Sequence, residues 1–191
     1  MTIRVGINGF GRMGRLTFRA MSDWSEFDIV QINDPSGGAA TLAHLLNFDS
    51  VHGRWQHEAK TEGNNILVGS HKVSCTQNKT IDETDWSSCD VVIEASGKMK
   101  SKALLQAYLD QGVKRVVVTA PVKEEGVLNV VMGVNDALYD PAIHSIVTAA
   151  SCTTNCLAPL AKGFMDNFGI ETGFMTTVHA YTADQNLQDG P

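Results

Sequence analysis

The sequence has few basic side chains and no cluster of them. Lysine and arginine together number 15, against 21 aspartate and glutamate residues, so the formal net charge is −6. Proteins dedicated to nucleic acids usually carry a basic patch, because phosphate contacts supply most of their affinity. We therefore expect no nucleic-acid partner, although a local positive pocket for a phosphorylated small molecule is compatible with this composition.

Long hydrophobic runs are also absent. The first residues lead straight into a strand-like stretch without the hydrophobic region of a signal peptide. No apolar run is long enough to span a bilayer. From these absences we expect no membrane partner and a cytoplasmic location.

Cysteine is scarce, and its spacing fits neither a zinc finger nor a dense disulfide framework. Cys152 and Cys156 lie four residues apart and could resemble a pair of metal ligands. No second pair of cysteine or histidine residues at zinc spacing accompanies them. We expect no metal site, and a reducing compartment. The four cysteines are Cys75, Cys89, Cys152 and Cys156.

A glycine motif near the start is the first positive signal. The predicted strand Ile3–Asn8 leads into G-x-G-x-x-G at residues 9–14, a helix-like segment follows, and a second strand, Phe27–Asn33, ends at Asp34. The glycine motif alone is a weak signal, but strand, turn, helix, strand and acidic residue together are typical of a dinucleotide site. Gly9 and Gly11 would let the backbone approach a pyrophosphate closely, at the N-terminus of the helix.

Asp34 has two interpretations that are compatible with each other. Its carboxylate would accept hydrogen bonds from the adenosine ribose and repel a 2′-phosphate, which favours NAD over NADP. It also precedes Pro35 in a sequence typical of a turn.

Residues 37–150 alternate between strands and helices, which predicts a doubly wound, mostly parallel Rossmann sheet over residues 1–150. Ser96, Gly97 and Thr119 fall at predicted strand ends, where such sheets bind ligands, but each could equally be a small residue closing a turn. The predicted strands are 90–97, 114–121, 128–133 and 144–150, with helices at 37–47 and 98–111 and a hairpin of 66–68 with 72–75.

Cys152 lies where the predicted strand 144–150 turns into a helix over 155–168. The unpaired N–H groups and positive dipole end of a helix favour an anion, so a thiol at this place loses its proton more readily. A later predicted strand, 172–179, ends at His179, which can supply the base that a cysteine nucleophile uses. The alternative is a buried, inert cysteine.

Residues 151–191 are expected to begin a second, α+β catalytic domain. One helix and one strand are too few to bury a sheet face, although Leu157, Leu160, Ala161 and Phe164 are spaced to face a core. We therefore expect a truncated domain, and an alternative hypothesis is that the 191-residue chain is a non-catalytic NAD-binding fragment.

Taken together, the motifs resemble those of phosphorylating glyceraldehyde-3-phosphate dehydrogenase, and the resemblance covers the whole chain. The cysteine motif, with a histidine 27 positions on, is highly specific to that family. The matching segments are Ile7–Gly14, Ile32–Asp34, Asp49–Gly53, Met132–Asn135, Ala150–Cys156 and Thr176–Ala180.

The resemblance implies oxidation of a phosphorylated aldehyde with NAD and inorganic phosphate, usually by a cytoplasmic homotetramer. Cys152 would be the nucleophile and His179 the general acid and base. By the same resemblance, the substrate or its phosphates would contact Ser151, Thr153 and Thr182, and NAD would contact Arg12, Met13, Asp34 and Thr119, with Lys79 standing where an arginine often serves the adenine.

Erythrose-4-phosphate dehydrogenase shares the cysteine motif and is the rival enzymatic hypothesis. Asp34 fits the triose enzyme better, since its sister enzyme tends to carry glutamate there. The segment Val122–Gly126 also differs from the commoner run of small residues in the family.

Overall fold

The computed structural model describes residues 2–182, which contain one mixed sheet and its flanking helices. The strands are β1 (Ile3–Asn8), β2 (Phe27–Asn33), β3 (Ala59–Glu62), β4 (Asn65–Val68), β5 (His71–Thr76), β6 (Val91–Glu94), β7 (Arg115–Val118), β8 (Leu128–Asn129) and β9 (Ile146–Thr148). The helices are α1 (Arg12–Met21), α2 (Ala39–Asn47), α3 (Lys102–Asp110) and α4 (Cys152–Phe168), with a 3₁₀ turn at Asp136–Leu138.

The sheet is parallel over most of its width. Its strand order is β3-β4-β5-β2-β1-β6-β7-β9-β8. In this order the first two pairings, β3 with β4 and β4 with β5, are antiparallel. All the pairings that follow, from β5 with β2 to β9 with β8, are parallel. The prediction of a mostly parallel, doubly wound sheet is confirmed.

The central strand β1 lies at the point where the chain order switches. It pairs with β2 on one side and with β6 on the other, so that Asn8 is opposite both Asn33 and Glu94. These three residues are the last of their strands. The carboxyl ends of neighbouring parallel strands therefore meet at one edge, which is where open α/β sheets bind ligands.

The core is divided between the two faces of the sheet. Val5 and Ile7 of β1 pack in a cluster with α1 and α2, whereas Gly6 between them faces the ring of Trp86 in a second cluster that contains α3. Val92 belongs to that second cluster, and its neighbour Ile93 belongs to the first. Successive strand residues point to opposite faces, so both faces of the sheet are covered by helices.

Several of the predicted strands and helices are shorter in the structure, and for two of them the hydrogen bonds show why. The helix expected from residue 98 begins at Lys102, because the Ser101 hydroxyl caps it by accepting a hydrogen bond from the Leu104 N–H. The strand expected over 128–133 ends at Asn129. There the Asn135 side chain donates to the Asn129 carbonyl and accepts from the Val131 N–H, which replaces the pairing that a strand would give.

The largest difference from the prediction concerns residues 152–182. The predicted strand 172–179 is wrong, since no strand forms there. The predicted core face of α4 is also wrong: Leu157 is 39%, Leu160 59% and Phe164 51% exposed, and Ala161 is only partly covered. Nothing in the described part of the chain packs over these side chains. Among the described residues, no neighbouring strand pairs with residues 172–179. Within residues 2–182, no helix is long and apolar enough to cross a membrane.

Two helical glycines give a matched test of packing at the glycine turn. A Cβ at Gly14 in α1 would lie 2.2 Å from the Gly9 carbonyl oxygen, whereas a Cβ at Gly163 in α4 meets nothing within 4 Å. We expect Gly14→Ala to lower the free energy of unfolding by about 1–3 kcal/mol through overpacking. Gly163→Ala should be neutral or stabilising by up to about 1 kcal/mol.

Urea unfolding of both variants measures the difference. Equal stability of Gly14→Ala and the unsubstituted protein would contradict the close approach of α1 to the β1 turn.

Candidate active site

The glycine turn after β1 is shaped for close backbone approach. Gly9 has φ +89°, and a Cβ there would lie 2.3 Å from the Ser96 backbone nitrogen. Gly11 is the N-cap of α1, and a Cβ there would meet nothing within 4 Å. This open space faces the N-terminus of α1, where unpaired N–H groups favour a pyrophosphate.

Asp34 is fixed beside that turn. Its carboxylate accepts hydrogen bonds from the Phe10 N–H at 2.6 Å and the Ser36 N–H at 2.8 Å, and the residue is only 7% exposed. The turn role that the sequence suggested for Asp34 is thus visible in its bond to Ser36. Its bond to Phe10 also joins the end of β2 to the glycine motif, and the ribose contact stays a prediction.

The two residues after Gly11 differ in what they contact. The Arg12 guanidinium lies 3.2 Å from the Asp49 carboxylate, and both side chains are largely buried. This ion pair joins α1 to the loop after α2. Met13 is 54% exposed. The predicted contacts of both residues with NAD stay predictions.

The remaining predicted cofactor residues lie beyond the carboxyl ends of three strands. Ser96 and Gly97 follow β6, where Gly97 is exposed with φ +70°. Thr119 follows β7 and donates its N–H to the Glu94 carbonyl at 2.9 Å. Lys79 lies in the turn after β5, exposed, and its N–H donates to the Glu83 carboxylate. The sheet thus gathers all four along the edge that carries the glycine turn.

A buried polar network beneath this edge was missed in the sequence. The Asn8 amide donates to Glu94 at 2.8 Å and to the Tyr108 hydroxyl at 2.7 Å, and it accepts from the Asn33 amide at 2.8 Å. Burial and the neighbouring Glu94 carboxyl group raise the pKa of Tyr108. A signal was present, since Asn8, Asn33 and Glu94 are polar residues at the ends of mostly apolar strands.

Cys152 is the first residue of α4. The Ser151 hydroxyl caps this helix by accepting the Thr154 N–H at 3.0 Å, and Asn155 donates from its side chain to the Ala149 carbonyl. Ala150 turns the chain with φ +55°, a left-handed conformation uncommon for a residue other than glycine. The tight turn leaves the Cys152 side chain exposed at the positive end of the helix.

His179 lies next to this cysteine, although 27 residues separate them. Its Nε2 is 3.1 Å from the Cys152 Sγ, and its Nδ1 is 2.6 Å from the Ala180 carbonyl oxygen. A carbonyl only accepts, so Nδ1 carries a proton and Nε2 is free to take one from the thiol.

The contact shifts both groups toward an ion pair. The hydrogen bond to His179, aided by bonds to Thr153, lowers the pKa of the Cys152 thiol. The bond to the Ala180 carbonyl, followed by the bond to Cys152, raises the pKa of His179. The arrangement therefore favours a thiolate beside an imidazolium, which is the reactive form of a cysteine nucleophile.

The predicted substrate residues surround this pair unevenly. Ser151 and Thr153 flank Cys152 directly, at the helix start. Thr182 lies three residues beyond His179 in an exposed segment. Their contacts with substrate stay predictions. Within the part of the chain that the structure describes, no three histidine, cysteine, aspartate or glutamate residues group closely enough to hold a metal ion.

Comparison with known proteins places the chain in a family. Residues 3–102 match the family model described as glyceraldehyde 3-phosphate dehydrogenase, NAD binding domain, and residues 151–191 match the C-terminal domain of the same family. The chain belongs to the glyceraldehyde-3-phosphate dehydrogenase family. The cofactor predicted from the glycine turn and Asp34 is accordingly NAD. The open space at Gly11 is compatible with its pyrophosphate, and the contacts of Gly9 and Gly11 with NAD stay predictions.

Relatives in this family align with the entire chain. Glyceraldehyde-3-phosphate dehydrogenase 3 of Nostoc sp. is 51% identical over 193 residues, and glyceraldehyde-3-phosphate dehydrogenase 1 of Streptomyces avermitilis is 48% identical over 194 residues. The Geobacillus stearothermophilus glyceraldehyde-3-phosphate dehydrogenase is 44% identical over 193 residues. Each alignment includes 100% of this chain, which spans 57–58% of the length of these relatives.

The thiolate form of Cys152 can be tested by alkylation. Cys75 and Cys89 are buried, so a Cys156→Ser background leaves Cys152 as the exposed thiol among the described residues. As the pH is raised, the rate of reaction with iodoacetamide should begin to increase at a lower pH than it does for an unstructured cysteine peptide, because only the thiolate reacts. His179→Ala should move that rise to higher pH and slow the reaction at pH 7.

Peptide mass spectrometry over a pH series follows the reaction at Cys152. The same pH profile with and without His179 would contradict an interaction between the two side chains.

Proposed function

We propose that the full protein containing this chain is an NAD-dependent, phosphorylating glyceraldehyde-3-phosphate dehydrogenase that acts through a thioester on Cys152. The observation that carries the proposal is the 3.1 Å contact between Cys152 Sγ and His179 Nε2 at the start of α4. Membership of the family and the NAD-binding domain support the same conclusion.

The first chemical step is attack by Cys152 on the substrate aldehyde. His179 Nε2 takes the thiol proton, and the thiolate forms a bond to the aldehyde carbon. The oxyanion that develops lies near the N-terminus of α4, where the Cys152 N–H is one of the helix donors. Ser151 and Thr153, on either side of Cys152, are placed to bind polar groups of the substrate.

Oxidation leaves an acyl group on Cys152. Bound NAD supplies the hydride acceptor for this step. His179 returns its proton to the oxyanion, which gives the covalent adduct a hydroxyl group. It takes that proton back as the hydride leaves and the carbonyl re-forms, which leaves a thioester. Inorganic phosphate then attacks the thioester carbon, so the acyl phosphate leaves and the Cys152 thiolate is restored. A positioned acid and base of this kind contributes roughly 10²–10⁴-fold in rate.

The proposal extends to the organisation of the full protein. Residues 1–150 form the NAD-binding domain and residues 151–191 begin the catalytic domain. The full protein is a cytoplasmic homotetramer. The exposed apolar side chains of α4 support a domain boundary near residue 150, since every buried residue of the described chain lies at or before Ala150.

Substitution of the nucleophile tests the reaction in the full-length protein. Cys152→Ser should lower phosphate-dependent NADH formation by about four orders of magnitude or more, while NAD affinity stays within about twofold. His179→Ala should lower it by about 10²–10⁴-fold. NADH absorbance measures the rate, and calorimetry measures NAD binding.

Comparing glyceraldehyde 3-phosphate with erythrose 4-phosphate distinguishes the two sugar substrates. Faster oxidation of the tetrose would identify the full protein as the erythrose enzyme. Retained activity of Cys152→Ser would remove Cys152 as the nucleophile.

The 191-residue chain alone is expected to bind NAD without forming acyl phosphate, because the apolar face of α4 is uncovered.

Cofactor selection tests the role of Asp34. Asp34→Ala should weaken NAD binding by about tenfold or more, through the loss of hydrogen bonds to a charged group. NADP binding should change less, because the repulsion of its 2′-phosphate is removed as well. The ratio of the two dissociation constants is the readout, since a loosened glycine turn would weaken both cofactors alike. An unchanged ratio would show that another residue selects the cofactor.

A further inference from the structure

The buried carboxyl group of Glu94 joins several parts of the cofactor edge. Glu94 is 1% exposed and is the last residue of β6. One of its oxygens accepts the Ser96 N–H at 2.8 Å and the Ser96 hydroxyl. The other accepts the Asn8 amide at 2.8 Å and the Tyr108 hydroxyl at 2.6 Å. All four acceptor positions of the group are therefore used inside the protein.

Two of the three residues that bond to Glu94, Ser96 and Asn8, lie at the cofactor edge. Asn8 directly precedes Gly9, and the Gly9 backbone lies so close to Ser96 that a Cβ on Gly9 would be 2.3 Å from the Ser96 nitrogen. Glu94 thus fixes both sides of one tight contact, with the end of β1 on one side and the residues after β6 on the other.

The same network extends to the end of β2. The Asn8 carbonyl oxygen accepts the Asn33 amide, and Asn33 precedes Asp34. The Asn33 side-chain oxygen in turn accepts the backbone N–H of Asn78, the residue before Lys79. Four residues in the network, Asn8, Asn33, Asn78 and Ser96, therefore precede four predicted cofactor contacts, each in the turn that follows a different strand.

We infer that Glu94 is a positioning residue for NAD, which it does not touch, and that it acts by holding Ser96 and the Asn8–Gly9 turn in register across the cofactor edge. The inference rests on the proposed NAD-dependent function. It goes beyond that function by assigning a role to a side chain buried under the site.

Glu94→Gln is the sharpest test because it keeps the shape of the side chain. Its amide NH₂ must replace one of the two oxygens. If this NH₂ points toward Ser96, it faces the Ser96 N–H, which is also a donor. If it points toward Asn8, it faces the Asn8 NH₂, and the Asn8 amide cannot rotate by 180° without losing its hydrogen bond from Asn33. Either orientation leaves a donor without an acceptor next to the cofactor edge.

Tyr108→Phe is the matched control. It removes a buried hydroxyl that donates to the same carboxyl group and accepts one N–H of the Asn8 amide. The bonds from Ser96 and Asn8 to Glu94 stay in place. Both substitutions should lower the melting temperature, because both disturb a buried hydrogen-bond network.

Calorimetric titration of the full-length protein with NAD, well below the melting range, separates the two variants. Glu94→Gln should raise the dissociation constant about tenfold, and Tyr108→Phe should change it by less than about twofold. Unchanged affinity in Glu94→Gln, or an equal loss in both variants, would overturn the inference. An unsubstituted protein that fails to bind NAD would instead overturn the proposed function and, with it, this inference.

A measurement on the unsubstituted protein keeps the test valid if Glu94→Gln does not fold. The Ser96 N–H, which donates to a buried carboxyl group, should exchange with deuterium slowly before NAD is added. Rapid exchange of this amide in the absence of NAD would show that the edge is not held in advance, and would overturn the inference.

Discussion

The structure depends on the meeting of polar side chains at the ends of β1, β2 and β6. Each of these strands is mostly apolar and ends in Asn8, Asn33 or Glu94. Parallel pairing brings the three residues side by side, and burial makes any unpaired polar atom costly. Their mutual hydrogen bonds satisfy that requirement. The same bonds fix where each strand stops and where the turn that follows begins.

The cofactor edge follows from this constraint. Gly9 and Gly14 are required because the backbones of the β1 turn, the residues after β6 and α1 approach within the space of a side-chain carbon. Asp34 then bonds to the Phe10 N–H and adds a further connection between β2 and the turn. A rigid edge lowers the entropy lost on binding a flexible dinucleotide, so its preorganisation contributes to affinity.

The cysteine site is organised by different forces. Cys152 owes its position to a capped helix start, which is local, while His179 arrives from an exposed segment without a strand ladder. Their contact is held by the thiol–imidazole bond and by the Ala180 carbonyl. The site thus combines a fixed helix terminus with a histidine on an exposed segment that forms no strand.

The sequence by itself determined most of the order of strands and helices up to α4, the glycine turn with Asp34 and the helix start near Cys152, because periodicity, capping residues and glycine act locally. It did not show that Asn8, Asn33, Glu94 and Tyr108 form one network, since those bonds join residues up to 100 positions apart. It also predicted a strand over 172–179 and a core face on α4, both wrong. Alternation and apolar spacing describe what a segment can bury, whereas tertiary contacts decide whether a partner is there to bury it. Only the tertiary structure shows the 3.1 Å contact between Cys152 and His179. That contact depends on how the segment after α4 runs back past the N-terminus of the same helix.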